Sequence, residues 1–162
     1  MIPNPRLGRA WDPCVVIDLL EGTSRAETHV RSIAERARRG ETHIWVSAFA
    51  MVEVARIQGR PDDAAERIIR EFFAQEYVVV ANLDPFVAEI ARALVRDLRI
   101  KKGKDAVHLA TAIRWNVPVF ETFDIELLRR VSNSGSPLPG GLDVREPRFN
   151  GQPNLFQEAD GT

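Results

Sequence analysis

A single cysteine, Cys14, is all the chain carries, so an internal disulfide is excluded and a reducing compartment fits. Long apolar runs are missing too: none approaches the roughly 18 residues needed to span a bilayer. The amino-terminal MIPNPRLGRAWD lacks the apolar stretch of a secretory signal. A cytoplasmic protein with no membrane partner is the expectation. The chain also lacks an excess of charge of one sign. Its formal net charge is −1, so the whole surface does not advertise nucleic-acid binding, and any such contact must be local. No internal repeat is visible. What is present is ordinary for a globule: 162 residues, 44% apolar and 28% charged, enough for one domain with a real core.

Apolar spacing divides the chain into alternating strand-like and helix-like runs. Residues 1–9, with two prolines and a glycine, read as an N-terminal arm. Ala10-Trp11 ends a short first strand. Val15, Val16, Leu19 and Leu20 give the next helix its apolar face, with Pro13 tolerated in the first turn and Gly22 as the stop. Val30, Ile33, Ala34 and Ala37 predict one helix over 24–39. A strand follows over 43–46, and Ser47 caps a helix running to about Ile57. Residues 61–74 are helical. The run YVVVA at 77–81 suits a strand covered on both faces. Asp84 caps a helix bearing Phe86, Ile90 and Leu94. A basic loop, Lys101-Lys102-Gly103-Lys104, leads to a helix marked by Ala106, Leu109 and Ile113. Residues 117–121 read as a strand, Asp124 opens a short helix to Arg130, and 142–145 add an edge strand. Residues 148–162 read as a mobile tail. Strands alternating with helices predict an α/β fold over 10–147, a three-layer sandwich with a short, mainly parallel sheet flanked by helices.

Four acids stand at junctions between strand-like and helix-like runs: Asp12, Glu53, Asp105 and Asp124. Functional groups gather there in an open α/β sheet. Glu53 lies in AFAMVEVA, where nothing else is charged. A helix apolar all round is buried, and a buried carboxylate requires a cation or an ion-pair partner such as Arg56. Asp12, Asp105 and Asp124 each have a plainer reading as helix caps. Thr122, two residues before Asp124, is close enough to orient a carboxylate. Carboxylates sharing one crevice repel and lose hydration, and a divalent cation offsets both costs. Metal-dependent phosphodiester hydrolysis is the chemistry this order suggests.

The same segments resemble the PIN-domain family, most closely its VapC-type toxin ribonucleases. The matching pieces are Trp11-Asp12 with CVVIDLLEG, SAFAMVEVARI with Glu53, KDAVHLATA with Asp105, and ETFD with Asp124. They cover residues 10–130. The resemblance implies a parallel sheet between helices, often dimeric, and a divalent-metal-dependent endoribonuclease, the toxin partner of a cognate antitoxin. It implies that Asp12, Glu53, Asp105 and Asp124 hold one or two Mg²⁺ or Mn²⁺ ions and that Thr122 supports the last aspartate. One departure stands out. The family usually carries Ser or Thr, then Asn or Ser, after its first aspartate; here Pro13 and Cys14 follow Asp12. Losing such a supporting hydroxyl typically costs about 10–100-fold in metal affinity or activity. A degenerate member, acting as an RNA- or protein-binding module, is therefore the alternative. An α/β phosphotransfer domain with Asp12 as nucleophile is a third reading, in which Glu53 has no clear job.

Lys101, Lys102 and Lys104 precede Asp105 and are the candidate RNA phosphate contacts. The arginine pairs and triplets at 36–39 and 129–130 read as solvated faces or helix-end charges. His108, one turn after Asp105, reads as a packed or hydrogen-bonded histidine sooner than a general acid. Cys14 reads as a small buried residue, and Trp11, Trp45 and Trp115 as core.

Overall fold

A computed structural model describes residues 1–149; positions 150–162, most of the expected tail, lie outside the described residues. The chain starts with a 3-10 turn at Pro5–Leu7 and continues β1 (Gly8–Trp11), α1 (Pro13–Glu21), α2 (Ser24–Glu27), α3 (Val30–Arg38), β2 (His43–Ser47), α4 (Ala50–Glu53), α5 (Asp62–Phe73) and β3 (Val78–Ala81). It then forms α6 (Pro85–Leu98), α7 (Gly103–Arg114), β4 (Val119–Glu121), α8 (Ile125–Asn133), a 3-10 turn at Pro139–Gly141, and β5 (Asp143–Arg145).

The five strands form one sheet in the order β3-β2-β1-β4-β5, and every neighbouring pair is parallel. Period-two alternation sends side chains to both faces. Trp11, Ile44 and Val46 join Val15, Val16, Val30, Ile33 and Ile69 in one core, beneath α1, α3 and α5. Ala10, Trp45 and Phe120 join Val87, Leu94, Leu109 and Leu127 in the other, beneath α6, α7 and α8. The result is the helix–sheet–helix sandwich that the alternation predicts. β1 lies at the centre, and its Gly8 is there for space: a Cβ would fall inside van der Waals contact with the Trp45 indole. All three tryptophans pack against the cores, as expected.

Several elements differ from expectation for local reasons. The helix over 24–39 divides into α2 and α3 at Thr28-His29. There the Ser32 hydroxyl takes the Thr28 carbonyl at 2.8 Å, a back-bond that bends helices. The helix opened by Ser47 is a single turn. Ser47 Oγ accepts the Phe49 N–H at 3.2 Å, but α4 ends at Glu53 because Val54 leaves helical geometry and drops into the core. Met51 and Val52 are 51% and 67% exposed, so α4 is not apolar all round because it is buried, and that argument for Glu53 falls. β3 is an edge strand with Val79 and Val80 only half-buried. The expected arm also takes part in the sheet: β1 begins at Gly8, and Arg9 pairs with the fully buried Glu121 on β4. At the other end, Arg9 Nη2 donates to the Arg148 carbonyl (2.8 Å), and the Phe149 N–H to His29 Nδ1 (3.1 Å).

Candidate active site

The strand order places the site. From β1 the chain steps one way to β2 and β3, then returns to lay β4 and β5 on the other side of β1. A crevice forms outside the carboxyl ends of strands where the winding reverses, here between β1 and β4. Asp12 leaves β1 at that point, and Thr122 and Asp124 leave β4 beside it. The Asp12 N–H donates to the Glu121 carbonyl at 3.0 Å, which ties the two exits together.

Asp12, Asp105 and Asp124 line one cleft with Pro13, Cys14, Ile17, Arg25, Glu53, Lys102, Lys104 and Phe123. Beyond Asp105 and Asp124 it continues past Lys101, Glu126 and Arg130. Three helices begin at this cleft. Asp12 precedes α1, Asp124 precedes α8, and Asp105 sits in the first turn of α7. The positive ends of their dipoles favour negative charge by about 0.3–1 kcal/mol each. The caps are unequal. Asp124 Oδ1 accepts the Leu127 N–H at 3.0 Å, as a capping aspartate does. Asp12 makes no side-chain cap bond, and the capping position of α7 is Lys102, not Asp105.

The helix ends do not cancel the repulsion. Asp105 titrates above the ordinary range: burial raises it first, the charges of Asp12 and Asp124 raise it further, and Lys102 and Lys104 oppose them. The three carboxylates therefore share one electrostatic field. Around them is a short hydrogen-bond chain. Thr122 Oγ1 donates to Asp12 Oδ2 at 2.8 Å and accepts the Asp124 N–H at 3.0 Å. The Cys14 thiol donates to the same Asp12 oxygen at 3.0 Å. Burial, then the charge of Asp12, pushes that thiol up to about 12, so it stays a thiol and not a nucleophile.

Glu53 is the exception among the four acids. Its Oε1 is paired with Lys104 and its Oε2 accepts from His108 Nε2 at 2.5 Å. The His108 bond, then the Lys104 bond, holds the carboxyl down at about 2 against the desolvation that raises it. The expected ligand is thus already engaged by two donors, and its partners are Lys104 and His108, not Arg56. Lys104 is correspondingly turned to Glu53, and Lys101 lies 3.3 Å from Glu126; of the three expected phosphate contacts, Lys102 has no ion-pair partner among the described residues. His108 is buried and hydrogen-bonded, the packed histidine expected of it.

Two features of the region escape sequence reasoning. Arg25 stacks over the Phe123 ring, 4.1 Å from its centroid, and binds Asp18 Oδ2 through Nε at 2.7 Å. Glu121, fully buried one residue before Thr122, accepts from Trp11 Nε1 at 2.8 Å and from Arg9 Nε at 3.0 Å. No local pattern marks either residue, since each partner lies elsewhere in the chain.

The donor chemistry suits a hard cation: carboxylate oxygens in a charged cleft, the set that Mg²⁺ and Mn²⁺ prefer with several waters retained. Among the described residues no three acidic, histidine or cysteine side chains converge tightly enough to enclose an ion alone. The fit is to a cation shared between carboxylates and water, not to a closed cage. No helix among the described residues is long and apolar enough to cross a membrane.

Comparison with known proteins agrees with this architecture. No curated protein sequence matches the chain. Among solved structures, a chain of the crystal structure of VapBC2 from Rickettsia felis bound to a DNA fragment from their promoter superposes with a TM-score of 0.60 at 12% identity, covering 86% of this chain and 98% of that one. At that identity the likeness is one of fold. The PIN domain family model matches residues 11–133, the stretch from the end of β1 through α8 that holds all four acids. The chain belongs to the PIN-domain family.

Proposed function

We propose that this chain is a divalent-metal-dependent endoribonuclease that hydrolyses RNA phosphodiester bonds, and that a cognate antitoxin protein restrains it. The observation that supports this most directly is the meeting of Asp12, Asp105 and Asp124 on one cleft at the switch point, with their repulsion left standing in the raised Asp105 carboxyl. Asp12, Asp105 and Asp124 hold the cation, Mg²⁺ or Mn²⁺. Once bound, it acidifies water and offsets charge on the scissile phosphate. Thr122 aims Asp12 and, through the Asp124 N–H, fixes the start of α8. Glu53 acts one step back, anchored on the buried His108 and holding Lys104 at the cleft wall. Lys102, and Lys101 at the farther mouth, meet the RNA backbone as point charges.

The antitoxin partner rests on the neighbour of like fold, which is a VapBC assembly. A cytoplasmic homodimer belongs to the same proposal. The alternative of a binding module without chemistry drew on the departure at Pro13-Cys14. Cys14 supplies a donor to Asp12 after all, which favours the enzyme.

Cleavage of mixed RNA by the purified chain tests the reading. Fragments are expected with Mg²⁺ or Mn²⁺, and the rate should fall by about 100-fold or more when a chelator exceeds the metal. An undiminished rate in excess chelator would overturn it.

A further inference from the structure

We infer that Cys14 is a positioning residue for Asp12, its thiol standing in for a hydroxyl and turning that carboxylate toward the cation. This deepens the metal-dependent reading above and rests on it. The sulfur is held on two sides. It accepts the Phe123 N–H at 3.4 Å and donates to Asp12 Oδ2 at 3.0 Å, and Thr122 Oγ1 stands 3.5 Å away. Thr122 donates to the same Asp12 oxygen at 2.8 Å. Among the described residues both side-chain donors reach Oδ2 and none reaches Oδ1. Two donors on one oxygen fix the plane of the carboxylate and leave the other oxygen for the cleft that Asp12 lines with Asp105 and Asp124.

The local chain explains why a thiol suffices. Pro13 opens α1 and has no N–H or hydroxyl to offer. Cys14, the next residue, is carried by the helix start to the β4 exit, where the Phe123 N–H meets its sulfur. A thiol is a weak donor, but the Phe123 contact and the packed site orient it. The Phe123 anchor comes from the segment after β4, so Cys14 also ties the Asp12 side of the crevice to the Asp124 side.

The test is calorimetric Mn²⁺ titration of the full chain, with cleavage kinetics beside it. Cys14→Ala removes the donor and is expected to weaken Mn²⁺ binding by about 10-fold, within the range for losing a group that orients a ligand. Cys14→Ser restores a donor and should stay within about threefold of wild type. In saturating Mn²⁺, C14A should recover most of its kcat, because the defect lies in cation binding. Should C14A fail to fold, as thermal melting in chelator would show, Cys14→Val fills the site with an apolar side chain that has no donor and carries the same comparison. Equal Mn²⁺ affinity in wild type and C14A, or a C14S as weak as C14A, would overturn the inference while leaving the metal site intact. A wild-type chain that binds no Mn²⁺ would overturn both together.

Discussion

Asp105→Asn is expected to reduce divalent-dependent RNA cleavage by about 100-fold or more while leaving the fold at least as stable. The size follows from the role: losing a group that only orients a metal ligand typically costs about 10–100-fold, and losing a ligand itself costs at least the upper end of that. The stability half follows from the sign of the Asp105 shift. Its folded-state carboxyl titrates above the ordinary value, because of burial and then of Asp12 and Asp124. Such a group favours the fold below its unfolded pKa and loses that contribution as pH rises through the folded one. At neutral pH its charge therefore opposes folding, and an amide of the same shape relieves the opposition. In chelator, D105N should melt no lower than wild type. In Mn²⁺, wild type should gain stability by mass action and D105N should gain much less. Wild-type cleavage by D105N, or a melting point several degrees lower in chelator, would contradict the assignment.

Arg9→Met is expected to cost about 3–5 kcal/mol of folding stability, the usual penalty for stranding one member of a buried ion pair. Glu121 is fully buried on β4, and its carboxylate is held by Arg9, by the Trp11 indole N–H and by the Arg148 N–H at 3.3 Å. Methionine keeps the apolar stem of the side chain and removes the guanidinium, leaving the buried Glu121 without its cationic partner. The same pair sets the site. Arg9 and Trp11 belong to β1, Glu121 to β4, and Trp11 faces Glu121 in the ladder. Their next residues are Asp12 and Thr122, 2.8 Å apart through the hydroxyl bond. Urea unfolding followed by tryptophan fluorescence measures the loss. A change below about 1 kcal/mol would show that the pair contributes little to holding β1 against β4.

Much of this architecture is legible from residue pattern alone, because strands and helices that bury one face must repeat their apolar residues at fixed spacing. β2, β5 and α7 follow that rule closely, and Asp12 and Asp124 leave strand ends as expected; Asp105 departs from the expected strand–helix junction, because α7 follows α6 with no strand between them. Glu53 shows where the pattern stops informing. Its apolar neighbours predict a buried helix, yet Met51 and Val52 face outward, and its partners Lys104 and His108 are brought to it by α7 from far along the chain. Cys14 is the converse case. In sequence it reads as a small buried residue beside a proline, but its sulfur accepts the Phe123 N–H and donates to Asp12. Glu121 is silent in sequence because a glutamate at a strand end is ordinary until Arg9 and Trp11 are seen to close over it.

A crystal structure of the chain soaked in Mn²⁺ is the most direct measurement. An anomalous peak is expected in the cleft, with oxygens of at least two of Asp12, Asp105 and Asp124 within about 2.5 Å of it, water filling the remaining positions, and Glu53 still on Lys104 and His108. Density for Mn²⁺ elsewhere only, with the three aspartates unliganded at saturating metal, would contradict the idea that they form one cation site.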